Sequence, residues 1–422
     1  MKQKIFRSSF IVLFVLLSVW GLPGQRADVR GVITENAQAP RIAVPDMPGE
    51  ANLSAQTAAF NNTLWNDIES SAQFEMVSKS FYPRMAPRRP EDLKADDQNL
   101  PEDKAAQGFW LRGWADPPVT TRYLTFGSIE TSGDRMVLSG YLYDATAAEV
   151  RSAHIFGKRY FSSADVSGAR QLAHEFARDI LQNLGLGTGL AGSRIYFTSD
   201  RTGHKEIWAM DYDGSNEQQI TRYENLSMLP AVSPDGSRIA FTTYVEGLPM
   251  IYMHSLETGR RLTFYNQKAS LNLTASFHPN GQQIVFASSA TGHSQIYIAD
   301  LDGRNFRRIS YTRALEVDPA INPKTGAQIA FTSGRSGLPQ IYVMDMDGAN
   351  VRQLSLGGGD AVQASWDPQG ENITFAWTRG FEPGNYNIFV MNVATQKLVQ
   401  LTYGAGRNES PYFSPSGTHL VF

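Results

Sequence analysis

The chain has 422 residues, 42% of them hydrophobic, with 36 glycines and 21 prolines and a formal net charge of −3. That length and apolar content give a folded, turn-rich protein with room for two or three domains, and they argue against a disordered chain. Cysteine is absent, which excludes disulfides, thiol catalysis, cysteine metal sites and an acylated cysteine; the near-neutral charge with no long basic run argues against nucleic-acid binding.

The first element is a basic-then-apolar leader. Lys2, Lys4 and Arg7 precede the apolar run Phe10–Gly21. At about 12 residues it is short for a bilayer span. It reads as a secretory signal peptide over 1–27, cleaved at about 21–27, which places the mature chain in the periplasm. The alternative is an N-terminal membrane anchor.

Residues 28–185 do not repeat and read as an α/β domain. Pro40–Pro45 is a predicted strand. Leu53–Phe74 is a predicted helix, because Phe60, Leu64 and Ile68 fall on one face. A strand over Phe74–Lys79 follows, and then a Pro- and charge-rich exposed loop over 82–107. Three strands are predicted at Tyr123–Glu130, Arg135–Tyr143 and Glu149–Phe156. A last helix over Gly168–Leu184 carries Leu172, Phe176, Ile180 and Leu184 on one face, and Gly185 stops it. The glycine-rich stretch 186–192 is a linker.

From residue 193 the sequence repeats. Ile195, Ile239, Ile284, Ile329, Ile373 and Leu420 are equivalent, at steps of 44, 45, 45, 44 and 47 residues. Each copy holds four short β-type runs separated by Gly, Asp and Pro turns. In the first copy these are Ile195–Phe197, Ile207–Trp208, Ile220–Thr221 and the run ahead of the turn in Pro230–Ser237. Four strands in about 44 residues is the period of a β-propeller blade, and the period-two alternation excludes a helical solenoid. Residues 193–422 are therefore an all-β propeller of the six-bladed type. Five copies are complete and the last blade is incomplete: it would need roughly 40 further residues at this period. The expectation is a fragment of a six-bladed ring; the alternative is that residues 418–422 complete another blade.

Several stretches imitate catalytic or metal chemistry. Asp211-x-Asp213-Gly214, Asp300-x-Asp302-Gly303 and Asp345-x-Asp347-Gly348 look like half a calcium loop, but no closing bidentate Glu is spaced to complete one. They read as hairpin turns. His204 and His293 share a repeat position and read as solvated loop residues. There is no H-E-x-x-H and no G-x-S-x-G. No catalytic residue and no cofactor are expected.

What differs between copies is the stretch entering each fourth run: Ser227 and Met228, Asn272, Glu316 and Asp318, Asp360 and Gln363, Asn408 and Glu409. These positions are expected at the central channel. Framework residues repeat and these do not, which suits a surface specifying a partner. Their surplus of Asp, Glu, Asn and Gln also suits a cation in the channel.

With the repeat "SPDGSRIAFTTYVEGLPMIYM" (Ser233–Met253), the N-terminal "DVRGVITENAQAPRIAVPDM" (Asp28–Met47), "YLTFGSIETSGDRMVLSGYLYD" (Tyr123–Asp144) and "ARQLAHEFARDILQNLGLGTG" on the page, the chain resembles the TolB family, periplasmic propeller proteins of the Tol–Pal cell-envelope system. The resemblance implies a non-enzymatic adaptor. It implies that the segment Asp28, Val29, Arg30, Gly31, Val32 and Ile33 contacts a TolA-like inner-membrane protein. It also implies that Asn272, Glu316, Asp318, Gln363 and Glu409, on the channel rim, receive a Pal-like peptidoglycan-associated lipoprotein. Two alternatives stay open: a propeller hydrolase or lyase using channel carboxylates with His254 or His278, and a carbohydrate-binding propeller.

Overall fold

The structure is a computed structural model that describes residues 39–94, 107–187, 189–379, 384–404 and 406–422. The predicted signal peptide and the segment Asp28–Ile33 lie outside the described residues.

The N-terminal part is built on one five-stranded sheet. Its strands are β1 (Arg41–Ala43), β2 (Glu75–Met76), β3 (Tyr123–Ser132), β4 (Arg135–Asp144) and β5 (His154–Ser163), in the order β2-β1-β3-β4-β5. β1 pairs parallel with both neighbours, while β3, β4 and β5 form an antiparallel meander. Period-two alternation sorts β4 cleanly. Met136, Leu138 and Leu142 face the helices, and Tyr143 joins Leu124, Phe126 and Trp114 in a second core on the other face.

Two helices cover the first face. α1 (Ser54–Ser70) buries Phe60, Leu64 and Ile68, the predicted stripe. α2 (Val166–Asn183) buries Leu172, Phe176 and Ile180. Asp165 caps α2 by accepting the Gly168 N–H at 2.7 Å, and Gly185, at φ +71°, ends it. Gly140 in β4 is needed for this packing: a Cβ there would lie 2.7 Å from the Phe176 ring.

Three expectations shift. The strand at Phe74–Lys79 shrinks to Glu75–Met76 because Lys79–Phe81 winds into a 3-10 turn capped by Ser78. The third meander strand starts at His154, not Glu149: Ser152 and Ala153 donate to the Glu149 carbonyl, making a helical turn over Val150–Ala153. In the predicted exposed loop, Pro90–Asp92 forms a 3-10 turn and Leu93 is buried in the second core.

The propeller opens with a three-stranded sheet, β6 (Arg194–Ser199), β7 (Glu206–Asp211) and β8 (Gln218–Gln219). Four complete blades follow. They comprise β9 (Ser227–Val232) to β12 (Arg261–Leu262); β13 (Asn272–Phe277) to β16 (Arg307–Arg308); β17 (Glu316–Ile321) to β20 (Arg352–Gln353); and β21 (Ala361–Trp366) to β24 (Leu398–Gln400). β25 (Tyr412–Phe413) and β26 (Leu420–Val421) make a two-stranded sheet at the end.

The blades are offset from the sequence repeat by one strand. The fourth run of each copy pairs with the first run of the next: β9 pairs with β10 (Arg238–Thr243), and β13 with β14 (Gln283–Ser288). The reason is the Pro-x-Gly hairpin, a tight turn that keeps its two flanking strands side by side, whereas the connection after the outer strand crosses to the next blade. The first copy therefore starts without an inner partner. β6 is half-exposed along its length, while the equivalent β10, β14, β18 (Gln328–Ser336) and β22 (Asn372–Trp377) are buried. The second strands carry Phe241, Phe286, Phe331 and Phe375, all fully buried, and the cores run between blades, Phe331 sharing one with Val285 and Ala287 and Phe375 one with Ala330 and Ile341.

Candidate functional site

Each inner strand carries the same irregularity. The pairing with the second strand slips once, and the residue at the slip has a left-handed backbone: Leu229, Thr274, Asp318 and Gln363, with φ 57°, 53°, 52° and 58°. Ser410, at φ 54°, holds the matching place before β25. None is glycine, and a residue so held costs about 1–3 kcal/mol. Thr274 and Gln363 are followed by Ala275 and Ala364, the other three by proline, so the bulge does not depend on a proline.

Hydrogen bonds link these bulges from blade to blade. Thr274 N–H donates to Thr242 Oγ1 (3.3 Å), and Asp318 N–H to Thr274 Oγ1 (3.2 Å). Gln363 N–H donates to Thr332 Oγ1 (3.2 Å), whose own hydroxyl donates to Asp318 Oδ2 (3.4 Å). Ser410 N–H donates to Gln363 Oε1 (2.8 Å). The result is a polar girdle around the channel, and every member but Thr242 and Thr332 comes from an inner strand or its entry. Asp318 is half-buried, and its surroundings desolvate the carboxyl and push it up to about 6, with the Thr332 bond opposing.

The five predicted rim residues separate into three groups. Asp318 and Gln363 belong to the girdle. Asn272 and Glu316 do not form an exposed rim. Each is the first residue of its strand and is fully buried. Asn272 donates to the Gln267 carbonyl (2.9 Å) and accepts from Ser288 Oγ (2.7 Å). Glu316 is tied to Arg335 in an ion pair and accepts from Ser333 Oγ at 3.1 Å. In both, the residue opposite on the second strand, Ser288 or Ser333, is the serine that donates to it. Glu409 stands just before the last bulge, half-buried and paired with Arg407 at 2.8 Å.

The turn-like motifs are turns. Gly214, Gly303 and Gly348 have φ between 83° and 90°, and the second Asp of each motif accepts the N–H two residues on, as in Asp302 Oδ1 to Arg304 N at 3.0 Å. No cluster of three or more His, Asp or Glu suited to a metal occurs among the described residues. His204 and His293 are exposed. His254 is buried against Tyr223, whose hydroxyl lies 2.8 Å from Nε2, and His278 bonds the Gly326 carbonyl of the next blade's turn at 3.1 Å. The two histidines have separate partners on separate blades and do not converge.

Two features escape the sequence. Tyr311, Leu315, Leu356 and Tyr403, each more than half exposed, stand on the connections that lead into inner strands. They stand at the end of the blades where the inner strands begin. The second is a joint between the domains. Asp67 of α1, fully buried, accepts from Tyr212 Oη (2.6 Å) and faces His174 Nδ1 of α2 (2.8 Å). Tyr212 lies in the β7–β8 turn, at the opposite end of the blade from the inner-strand starts, so the channel rim points away from the α/β domain. Burial raises the Asp67 carboxyl against the bonds from His174 and Tyr212. Burial works against the charged His174 ring, but the Asp67 bond and charge outweigh it and raise the imidazole.

Residues 182–422 match the family described as the TolB beta propeller domain. The chain belongs to the TolB family. A Protein TolB homolog of Chlorobium chlorochromatii (strain CaD3) is 34% identical over 138 residues, 33% of this chain and 30% of that protein. The Tol-Pal system protein TolB of Ruegeria sp. (strain TM1040) is 30% identical over 255 residues, 59% of this chain and 52% of that protein. The matched stretches thus span between about a third and about half of these relatives. The crystal structure of TolB from Acinetobacter baumannii superposes with a TM-score of 0.69, covering 93% of this chain and 90% of that one at 24% identity, and shares the fold of both domains. Among the described residues no helix is long and apolar enough to cross a membrane.

Proposed function

We propose that this TolB-family chain is a non-enzymatic periplasmic adaptor of the Tol–Pal system. It links a TolA-like inner-membrane protein to a Pal-like peptidoglycan-associated lipoprotein, in support of envelope integrity and outer-membrane constriction at division. The observation that carries this reading is family membership over the propeller, joined to a channel face whose side chains differ from blade to blade. Asp318, Gln363 and Glu409 take the polar contacts with the lipoprotein. Tyr311, Leu315, Leu356 and Tyr403 supply apolar anchors around them, the combination of apolar contact and polar rim that protein interfaces use. Asn272 and Glu316, being buried, hold the strand starts in place instead of touching the partner. Asp28–Ile33 is the TolA-contacting segment. It exchanges between the body of the protein and TolA, and lipoprotein binding biases that exchange.

The test is affinity measurement against the soluble domains of both partners. Gln363→Arg with Glu409→Lys should weaken lipoprotein binding by about tenfold or more, close to 1.4 kcal/mol, and leave TolA binding intact. Deleting 28–33 should abolish TolA binding. Lipoprotein affinity identical in the rim variant rejects the site, and lipoprotein affinity unchanged by the deletion rejects the coupling.

A further inference from the structure

Between α2 and the first propeller sheet lies a cleft of about 270 Å³, formed by residues of both domains and the linker between them. Its charged groups are mostly matched. Arg170 faces Asp213 at 3.6 Å, and Arg194 faces Asp211 at 3.8 Å while donating to Gln218 Oε1 at 3.1 Å. Glu175 accepts from Gln171 at 3.0 Å. Two donors are left over. Arg178 has no hydrogen-bond or ion-pair partner among the described residues. The His174 ring, over nine-tenths buried, is held through Nδ1 by Asp67, and its Nε2 has no partner.

Both side chains border Gly192, where the backbone offers no side chain. Arg178 and His174 are four residues apart on one face of α2, and both close on Gly192. A Cβ at Gly192 would lie 2.5 Å from Arg178 Nη2 and 3.9 Å from His174 Cβ. A buried N–H without an acceptor is costly, so the protonated ring beside an unpaired guanidinium favours a ligand that accepts hydrogen bonds.

We propose that this interdomain cleft binds a small oxyanion, a carboxylate or a phosphate, held by the Arg178 guanidinium and by His174 Nε2–H. The guanidinium fork suits two oxygens of either group. His174 donates from Nε2 only when protonated. The groups around it are Asp67, Tyr212, Asp211 and Asp213, with Arg170, Glu175 and Arg178 beside it on α2 and Arg194 across the cleft. The carboxylates favour the charged ring and the arginines oppose it. The site lies on the other side of the propeller from the channel rim and does not depend on the adaptor reading.

The experiment is calorimetric titration of the full mature chain at constant ionic strength, with succinate in one arm and inorganic phosphate in the other. Saturable binding in either arm is expected, and the arm that saturates more tightly identifies the ligand class. Arg178→Gln should weaken it by about tenfold or more, and Glu175→Gln, which removes a neighbouring negative charge, should tighten it. Succinate, measured above about pH 7 where both its carboxyls are ionised, should bind more weakly as pH rises and His174 loses its proton. No saturation by about 20 mM in both arms overturns the proposal. So does wild-type affinity in Arg178→Gln that keeps its circular dichroism.

Discussion

Replacing Tyr212 by Phe removes one hydroxyl and keeps the ring. In the folded chain that hydroxyl donates at 2.6 Å to Asp67, a carboxylate with no exposed surface whose other oxygen faces His174. The loss is a charge-assisted bond at a buried acceptor, worth roughly 1.5–3 kcal/mol. Unfolding of units this size shifts by about 2–4 °C for each kcal/mol, so the melting temperature should fall by roughly 3–12 °C. The joint also has a defined pH dependence. Both Asp67 and His174 are raised on folding, so the native joint holds more protons than the unfolded chain. Its stabilisation is full below the unfolded values and is lost as pH rises through the folded ones. For His174 that decline begins above about pH 6.5. Scanning calorimetry of wild type and Tyr212→Phe at pH 5.5, 7 and 8.5 reads both effects. Because the Tyr212 bond favours ionised Asp67, the difference should be smallest at pH 5.5 and should not shrink toward pH 8.5, and His174→Gln should flatten the wild-type slope. A melting temperature lowered by less than about 1 °C, with the same slope in every variant, would refute the account of the joint.

Gly140→Ala puts a methyl 2.7 Å from the Phe176 ring and should destabilise the α/β domain by about 1–3 kcal/mol in urea titration, with Gly140→Ala/Phe176→Leu recovering part of it. Arg335→Ala leaves the fully buried Glu316 without its cation and should cost about 3–5 kcal/mol, whereas Arg335→Ala with Glu316→Gln should cost less, measured by the same titration. Asp318, pushed up to about 6, contributes stability that is present below about pH 4 and lost as pH rises through 6; in Asp318→Asn the melting temperature should not show that decline between pH 4 and 7.

The sequence by itself determined the two-part architecture. Five near-equal steps between Ile195 and Leu420 and period-two alternation within each copy are local signals, so the propeller was legible without pairing information. The stripes Phe60–Leu64–Ile68 and Leu172–Phe176–Ile180 placed both helices for the same reason. Short-range hydrogen bonds shifted the edges: Glu149 with Ala153 delayed β5, and Ser78 with Ser80 shortened β2. The rim was legible only as a neighbourhood. Sequence placed Asn272, Glu316, Asp318, Gln363 and Glu409 together. The one-residue slip at each bulge then separated Asp318 and Gln363 in the girdle from Asn272 and Glu316, fully buried at the strand starts. Tertiary structure alone decided which runs share a blade, because an outer strand pairs within its sheet while the chain leaving it crosses to the next. It alone joined Asp67 to His174 and to Tyr212, 107 and 145 residues apart, since a contact closed over such distances leaves no periodic trace in the chain.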